Sequence, residues 1–279
     1  MITVPVAAPT DAFKWQISFF QFAQERIYGR ARAENETLLL VVDRNNHTEI
    51  VRTIPWSLEL PHQLVRGIHS ILPVTATHQH FVAGNVFFAL KDVVSRWSDD
   101  EILCIVDADI VPLKQYAGPW PDDTTVITCN YYEDWHMRCS RPDKEQFIIA
   151  YPYLTHAEYQ YMDGGFVPIL VRVKTLKRIL DDVIATTIRI VEHHQGSFFG
   201  WWSQMLAFQV VCHNHRITCV GQDNTYFPGV NQLRVDAHSF AHYSCDVKFN
   251  KKTFPHHDLR AFPDDVFYRM VREWRTQYQ

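Results

Sequence analysis

The chain has 279 residues, of which 47% are hydrophobic and 21% charged. This composition provides enough apolar material for a large core and excludes an intrinsically disordered protein. The 27 lysines and arginines against 31 acidic residues give a net charge of -4, which argues against a globally basic nucleic-acid binder but leaves a local basic patch open. No apolar run reaches the roughly 18 to 20 residues of a membrane helix, and the N-terminus lacks a signal-peptide pattern. We therefore expect a soluble cytoplasmic protein without a membrane partner.

The first part of the chain alternates predicted strands and helices. A β-branched segment at residues 2–6 predicts a strand, and Asp11 offers a capping oxygen before a helical apolar pattern. The wholly apolar runs at 38–42 and 102–106 are typical of strands buried on both faces of a parallel sheet. A helical repeat at 82–97 precedes the second of these runs. These βαβ steps predict an α/β fold with a mixed, mostly parallel sheet flanked by helices.

The remaining segments are predicted from the same periodicities. Residues 45–77 contain three prolines and are predicted to be irregular, and residues 116–161 are predicted to be an extended connection. The other predicted elements are, in order, a strand at 126–128, a strand at 166–171, a helix at 176–190, a helix at 201–212, strands at 217–220 and 240–243, and a final helix headed by Asp264 and Asp265.

The leading candidate for chemistry is the segment ILCIVDADIVPL, in which Asp107 and Asp109 follow an apolar strand. In open α/β sheets ligands bind beyond the carboxyl ends of the strands. Two carboxylates one residue apart can coordinate a hard divalent cation that in turn binds a diphosphate, although the same triplet is also common in solvated turns. The apolar strand favours the functional interpretation, because an aspartate leaving a core strand must be hydrated, paired or metal-bound.

A second candidate is the late segment that begins at His242 and continues through Lys248 and Lys252. A histidine at a strand end can complete a metal site, and lysines can neutralise phosphate charge. The alternative interpretation is an ordinary surface histidine beside a solvated cluster of lysines.

Four segments occur in a specific order, namely DADIVPL, DGGFVPILV, FFGWWSQMLAF and HYSCDVKFNKKTF. In order and spacing they resemble the hydroxyproline O-arabinosyltransferases and peptidyl-serine α-galactosyltransferases over residues 81–254, and the early FKWQ resembles the first helix of that family. These relatives are GT-A-type glycosyltransferases that use UDP-sugars. The resemblance implies one GT-A-like catalytic domain over residues 1–279, with a nucleotide-sugar-binding half at 1–115 and an acceptor-side half at 116–279.

The resemblance also implies a set of donor-site residues. Asp107, Asp109 and His242 match the family's ligands for Mn²⁺ or Mg²⁺ on the diphosphate of the sugar nucleotide. Lys248 and Lys252 match positions expected to contact the phosphates. Asp107 is thus predicted to serve both the cation and the bound donor.

Further residues match the family's donor-sugar and acceptor regions. Asp163 matches an acidic turn near the donor sugar, and Trp201 and Trp202 match an aromatic element on the acceptor side. Gln204 stands where the plant enzymes carry an acidic residue, and an amide cannot act as a general base. This departure disfavours an inverting mechanism and favours a retaining one, in which the leaving diphosphate accepts the acceptor proton and the amide supports the oxocarbenium-like centre. Asp163 and Gln204 are therefore the predicted catalytic residues.

Together these features predict a metal-dependent, retaining glycosyltransferase that moves a sugar from a UDP-sugar to a hydroxyl on a macromolecule. The acceptor stays open between a protein hydroxyl, such as hydroxyproline or serine, and a hydroxymethylated pyrimidine in viral DNA, with a glycan or small-molecule hydroxyl third. Lysines and arginines near the C-terminus and the lack of a targeting segment suit a DNA acceptor met in bacterial or host cytoplasm, whereas the resemblance implies a protein hydroxyl, and the two have nearly equal weight. The alternatives are a non-catalytic nucleotide-sugar or nucleic-acid binding module and a metal hydrolase.

Overall fold

The computed structural model describes residues 1–7, 11–29, 38–42, 62–66, 85–129, 166–193, 198–228, 232–243, 260 and 264–278. Within these ranges, every helix is too short or too polar to span a membrane. The chain divides into two compact units. The terminal unit comprises residues 2–65, 104–118 and 223–279, and the central unit comprises residue 1 together with residues 66–103 and 119–222.

The described helices and strands alternate along the chain as in an α/β protein. In chain order they are β1 (Ile2–Ala7), α1 (Asp11–Tyr28), β2 (Leu38–Val42), β3 (His62–Arg66), α2 (Asn85–Lys91), β4 (Ile102–Asp107), β5 (Ile110–Pro112), β6 (Thr125–Cys129), β7 (Phe166–Arg172), α3 (Val173–His193), α4 (Phe198–Asn214), β8 (Thr218–Gln222), β9 (Thr225–Tyr226), β10 (Phe240–His242) and α5 (Val266–Tyr278). A short 3₁₀ helix at Val94–Arg96 follows α2.

The terminal unit contains two groups of strands. Its larger group has the order β3-β2-β1-β4, and β1 and β2 run parallel with Val6 opposite Leu39. The smaller group has the order β5-β10-β9, in which β10 is antiparallel to β5 and parallel to β9. Helix α1 packs against β5 and α5 packs against α1, where the indole Nε1 of Trp274 donates to Ser18 Oγ at 3.0 Å. These helices cover the strands that carry the acidic segment.

Local sequence sets where α1 ends and α5 begins. Helix α1 is followed by Gly29, whose φ of 84° lies in the left-handed region and whose N–H donates to the Glu25 carbonyl at 2.9 Å. The side chain of Asp265 accepts a hydrogen bond from the Tyr268 N–H at 2.9 Å, which is the N-cap interaction of α5. The prediction that the acidic pair 264–265 heads the final helix is therefore confirmed.

The central unit combines a mixed group of strands with two long helices. Strand β6 is antiparallel to β7 and parallel to β8. Helix α3 buries one apolar face, whereas α4 is apolar nearly all round and buries Leu206, Phe208 and Val211. Phe87 of α2 stacks on Phe208 with a centroid distance of 5.2 Å. These contacts form the core of the unit.

The predicted α/β fold with a mixed sheet flanked by helices is confirmed. Three strands were not predicted. Strand β3 lies inside the segment predicted to be irregular, and β5 and β9 have only three and two residues. The predicted helix at 82–97 is interrupted, because α2 ends at Lys91 and the 3₁₀ turn follows it. Short strands of this kind exist through their pairing with distant partners, which local periodicity does not reveal.

Candidate metal and donor site

The acidic turn follows directly from the burial of β4. Residues Leu103–Val106 are fully buried, and the strand ends at the partly exposed Asp107. Ala108 is buried, and Asp109 is only 5% exposed before the chain enters the buried strand β5. An aspartate with this little exposure bears a large desolvation cost unless it is compensated. The turn therefore places one carboxylate at the surface and one in the interior of the same unit.

Strand pairing brings His242 beside this turn. In the antiparallel register of β10 and β5, His242 lies opposite Ile110, the residue that follows Asp109. The His242 Nε2 atom is 3.4 Å from Asp109 Oδ1. The N–H of Tyr243 donates to the Asp109 carbonyl at 3.2 Å and extends the pairing by one residue. Two segments that are distant in sequence thus converge in the terminal unit.

Asp107, Asp109 and His242 form a cluster whose potential ligand atoms all lie within 4.8 Å of one another. Two ligands on opposite sides of one divalent cation are about 4 to 5 Å apart, which is twice a typical metal–oxygen bond. Carboxylate oxygens with one imidazole nitrogen are a donor set suited to Mg²⁺ or Mn²⁺. The second ring nitrogen of His242, Nδ1, is buried and has no hydrogen-bond partner among the residues described. The residues present therefore fit a divalent cation.

Two aromatic residues contact the cluster or the turn that carries it. The ring of Phe227 lies 5.4 Å from the His242 ring. The buried hydroxyl of Tyr243 donates to the Ala108 carbonyl at 3.3 Å. Burial, and secondarily the Asp109 carboxylate, raises the pKa of Tyr243 well above its ordinary value. The phenol therefore stays protonated and remains a hydrogen-bond donor at neutral pH. Sequence reasoning did not single out Tyr243, and its position directly after His242 at a strand end was the available signal.

Gln204 lies on α4 in the central unit. Its side chain is 3% exposed, and its Oε1 has no hydrogen-bond partner in the part of the chain that the structure describes. A buried amide oxygen without a partner costs about 1 to 3 kcal/mol. A polar group that is costly to bury in this way is a candidate for contact with a ligand.

The other predicted site residues are not tested by the geometry. Trp201 and Trp202 lie within α4, where the structure describes their backbone but not their side chains. Asp163, Lys248 and Lys252 lie outside the described residues.

The C-terminal arginines that favoured a DNA acceptor are partly paired with acidic residues. Arg272 and Arg269 both contact Asp264, with nitrogen–oxygen distances of 2.5 and 3.8 Å. Glu273 of α5 pairs with Arg26 of α1. These carboxylates reduce the net positive charge of α5.

The elements and their connections form the α/β fold of the GT-A glycosyltransferases. A solved structure of LgtC, described as a glutamine-to-glutamate active-site mutant, is similar with a TM-score of 0.53 and 11% sequence identity. The similarity covers 99% of this chain and 96% of the LgtC chain. No protein-family model and no curated protein matches the sequence. At 11% identity the likeness to LgtC shows a shared fold.

Proposed function

We propose that this protein is a metal-dependent, retaining glycosyltransferase that transfers a sugar from a UDP-sugar to a hydroxyl of a macromolecular acceptor. The observation that carries the proposal is the cluster of Asp107, Asp109 and His242 at the carboxyl end of β4, in a chain with the GT-A fold. Ligands of open α/β sheets bind at this edge. The sequence resemblance to peptide-modifying GT-A enzymes supports the same conclusion independently of the coordinates.

The three clustered side chains are proposed to hold Mn²⁺ or Mg²⁺. When bound, the cation supplies charge stabilisation for the leaving diphosphate. Asp109 directly precedes the buried strand β5 and His242 ends β10, so the pairing of these two strands restrains the backbone at both residues. By resemblance, Lys248 and Lys252 are proposed to contact the phosphates.

Gln204 is proposed to support the reacting sugar. Its unpartnered, buried amide oxygen can accept a hydrogen bond or face a centre of developing positive charge, but it cannot remove a proton. The LgtC structure is a mutant of an active-site glutamine, so a GT-A protein with a glutamine in its active site has precedent. This chemistry agrees with a retaining transfer, in which no enzymatic base is needed for the acceptor hydroxyl.

The remaining assignments rest on the resemblance. Asp163 is proposed to lie by the donor sugar, and Trp201 and Trp202 are proposed to contact the acceptor. The chain is then one catalytic domain, with the donor half at 1–115 and the acceptor half at 116–279. The proposed acceptor is either a protein hydroxyl or a hydroxymethylated pyrimidine in DNA.

The first experiment is a thermal-shift panel of UDP-, GDP-, ADP- and CDP-sugars with and without Mn²⁺. A ligand that binds the folded state raises its apparent stability by mass action, so we expect UDP-sugars to raise Tm by about 5 °C at saturation, and only with Mn²⁺. UDP release is then measured with hydroxyproline peptides and with hydroxymethylated DNA. A transferase releases UDP faster with the right acceptor. A hydrolase releases it equally without acceptor, and a binding module releases none.

Gln204→Ala tests the proposed role of the amide, with Gln209→Ala as the matched control. Gln209 is a second buried glutamine on α4. We expect kcat to fall about 10- to 100-fold in Gln204→Ala with little change in donor KM, because the lost interaction acts mainly in the transition state. Equal rates in the two variants would contradict this role.

A further inference from the structure

Tyr243 makes two hydrogen bonds to consecutive residues of the acidic turn. Its backbone N–H donates to the Asp109 carbonyl at 3.2 Å, and its side-chain hydroxyl donates to the Ala108 carbonyl at 3.3 Å. Ala108 is the residue between the two aspartates, and its carbonyl belongs to the peptide unit that joins it to Asp109. A hydrogen bond to this carbonyl therefore restrains the short backbone segment from which both carboxylates project. The bond from the hydroxyl is the only one of the two that a side-chain substitution removes.

The ring of Tyr243 is fixed by aromatic neighbours from both terminal helices. Trp15 and Phe19 of α1 lie 5.6 and 5.9 Å from it, and Phe267 of α5 lies 5.8 Å from it, measured between ring centroids. The tyrosine is fully buried. A fully buried phenol packed against three aromatic rings has little rotational freedom, so its hydroxyl presents a fixed donor to the turn.

We propose that Tyr243 is a positioning residue for the divalent-cation site, acting through the Ala108 carbonyl on Asp107 and Asp109. This inference rests on the proposed metal site. Groups that orient metal ligands without touching the metal change its affinity by about 10- to 100-fold when they are removed. Because the hydroxyl-to-carbonyl distance of 3.3 Å is long, we expect an effect near the lower end of that range.

The test is Tyr243→Phe, which keeps the ring and removes the hydroxyl. The matched control is Tyr226→Phe, which removes a buried tyrosine hydroxyl that donates to Asp265 Oδ2 at 2.9 Å, outside the acidic turn. The dissociation constant for Mn²⁺ is measured on the full chain by the electron paramagnetic resonance signal of free Mn²⁺. Thermal unfolding without metal is measured in parallel.

We expect the dissociation constant to rise about tenfold in Tyr243→Phe and to stay within about twofold of the wild type in Tyr226→Phe. Without metal, Tyr226→Phe should lose at least as much thermal stability as Tyr243→Phe, because the Tyr226 hydroxyl donates to a carboxylate and the Tyr243 hydroxyl to a neutral carbonyl. If the wild type binds Mn²⁺ and Tyr243→Phe binds it equally well, the positioning role is overturned and the proposed function stands. If the wild type and Asp109→Asn show equally little Mn²⁺ binding, the metal site and the inference that depends on it are both overturned.

Discussion

The acidic residues that precede β4 and those that follow it have opposite environments. Before the strand, Asp99 and Asp100 are 61% and 92% exposed and contact Lys177 and Arg172, respectively. The Lys177–Asp99 distance is 2.7 Å. After the strand, Asp109 is 5% exposed and faces His242. The same residue type is thus paired with partly exposed cationic side chains at one end and faces a mostly buried imidazole at the other.

A third acidic residue of the central unit, Asp123 in the loop before β6, also forms ion pairs with cationic side chains. Asp123 accepts a hydrogen bond from Lys174 at 2.9 Å and also faces Arg172. The hydrogen bond from Lys174, together with the charges of Lys174 and Arg172, lowers the pKa of Asp123. Each of these three acidic residues is paired with a cationic side chain from β7 or α3, so ion pairing explains its presence without a functional role. Because ligands of open α/β sheets bind at the carboxyl ends of the strands, acidic residues that follow a core strand indicate a binding site more strongly than those that precede it.

The largest expected difference between the two ends is in cation affinity. Asp109→Asn removes a proposed ligand, and Asp99→Asn is the matched control at the other end of the strand. We expect Asp109→Asn to weaken Mn²⁺ binding by at least about 100-fold, because a direct ligand matters more than the outer partners that change affinity by about 10- to 100-fold. Asp99→Asn should leave the affinity unchanged. Isothermal titration with Mn²⁺ measures both.

The fold of Asp109→Asn is expected to survive this change. Asparagine has the same shape, and removing a buried charge relieves its desolvation cost. The metal-free unfolding free energy should change by no more than about 1 kcal/mol. Equal Mn²⁺ affinity in Asp109→Asn and Asp99→Asn would remove the distinction between the two ends.

A second prediction concerns His238, a buried histidine of the terminal unit that is not part of the metal cluster. Its side chain is 2% exposed, and burial, with Arg234 and Lys114 nearby, lowers its pKa to about 4. Its Nδ1 accepts a hydrogen bond from the Arg234 N–H at 2.9 Å, and its Nε2 is 3.6 Å from Asp223. The neutral ring is therefore favoured in the folded state.

The sign of the pH effect follows from the lowered pKa. The unfolded state takes up a proton near pH 6.5, whereas the folded state does so only near pH 4, so stability is lost as pH falls through this window. We expect His238 to account for about 2 kcal/mol of the loss between pH 7.5 and pH 5. Urea unfolding of the wild type and His238→Asn, which keeps an acceptor for the Arg234 N–H, measures this. Parallel pH dependences in the two proteins would show that His238 is not responsible.

Local periodicity predicted most helices and strands because their sequences contain either a continuous apolar run or one regularly spaced apolar face. The apolar runs of β2 and β4 and the amphipathic face of α3 follow directly from the sequence. Strand β3, with the sequence HQLVR, has neither a continuous apolar run nor clean alternation and lies at the edge of the order β3-β2-β1-β4. An edge strand is stabilised largely by its pairing, so its sequence carries a weak signal.

The candidate site shows the same division between local and long-range information. Asp107 and Asp109 could be predicted from the residues themselves, because they follow a buried strand. His242 could be assigned to them only through resemblance, since the pairing of β10 with β5 that joins them is a long-range property. Tyr243 was missed for the same reason: its bond to Ala108 spans 135 positions. Sequence patterns identify chemical groups, but strand register decides which groups meet.

The smallest expected effect is at the exposed end of β4 and tests whether its ion pairs are structural. In a double-mutant cycle of Asp99→Asn and Lys177→Gln, we expect a coupling energy of at most about 1 kcal/mol, because both side chains are solvated and lose entropy on pairing. The coupling should shrink further in 1 M NaCl, where the screening length is about 3 Å. UDP release by both single variants should match the wild type at each salt concentration. A loss of UDP release without a loss of stability would mean that the acidic residues before β4 also contribute to function. The two ends of the strand would then no longer differ in this respect.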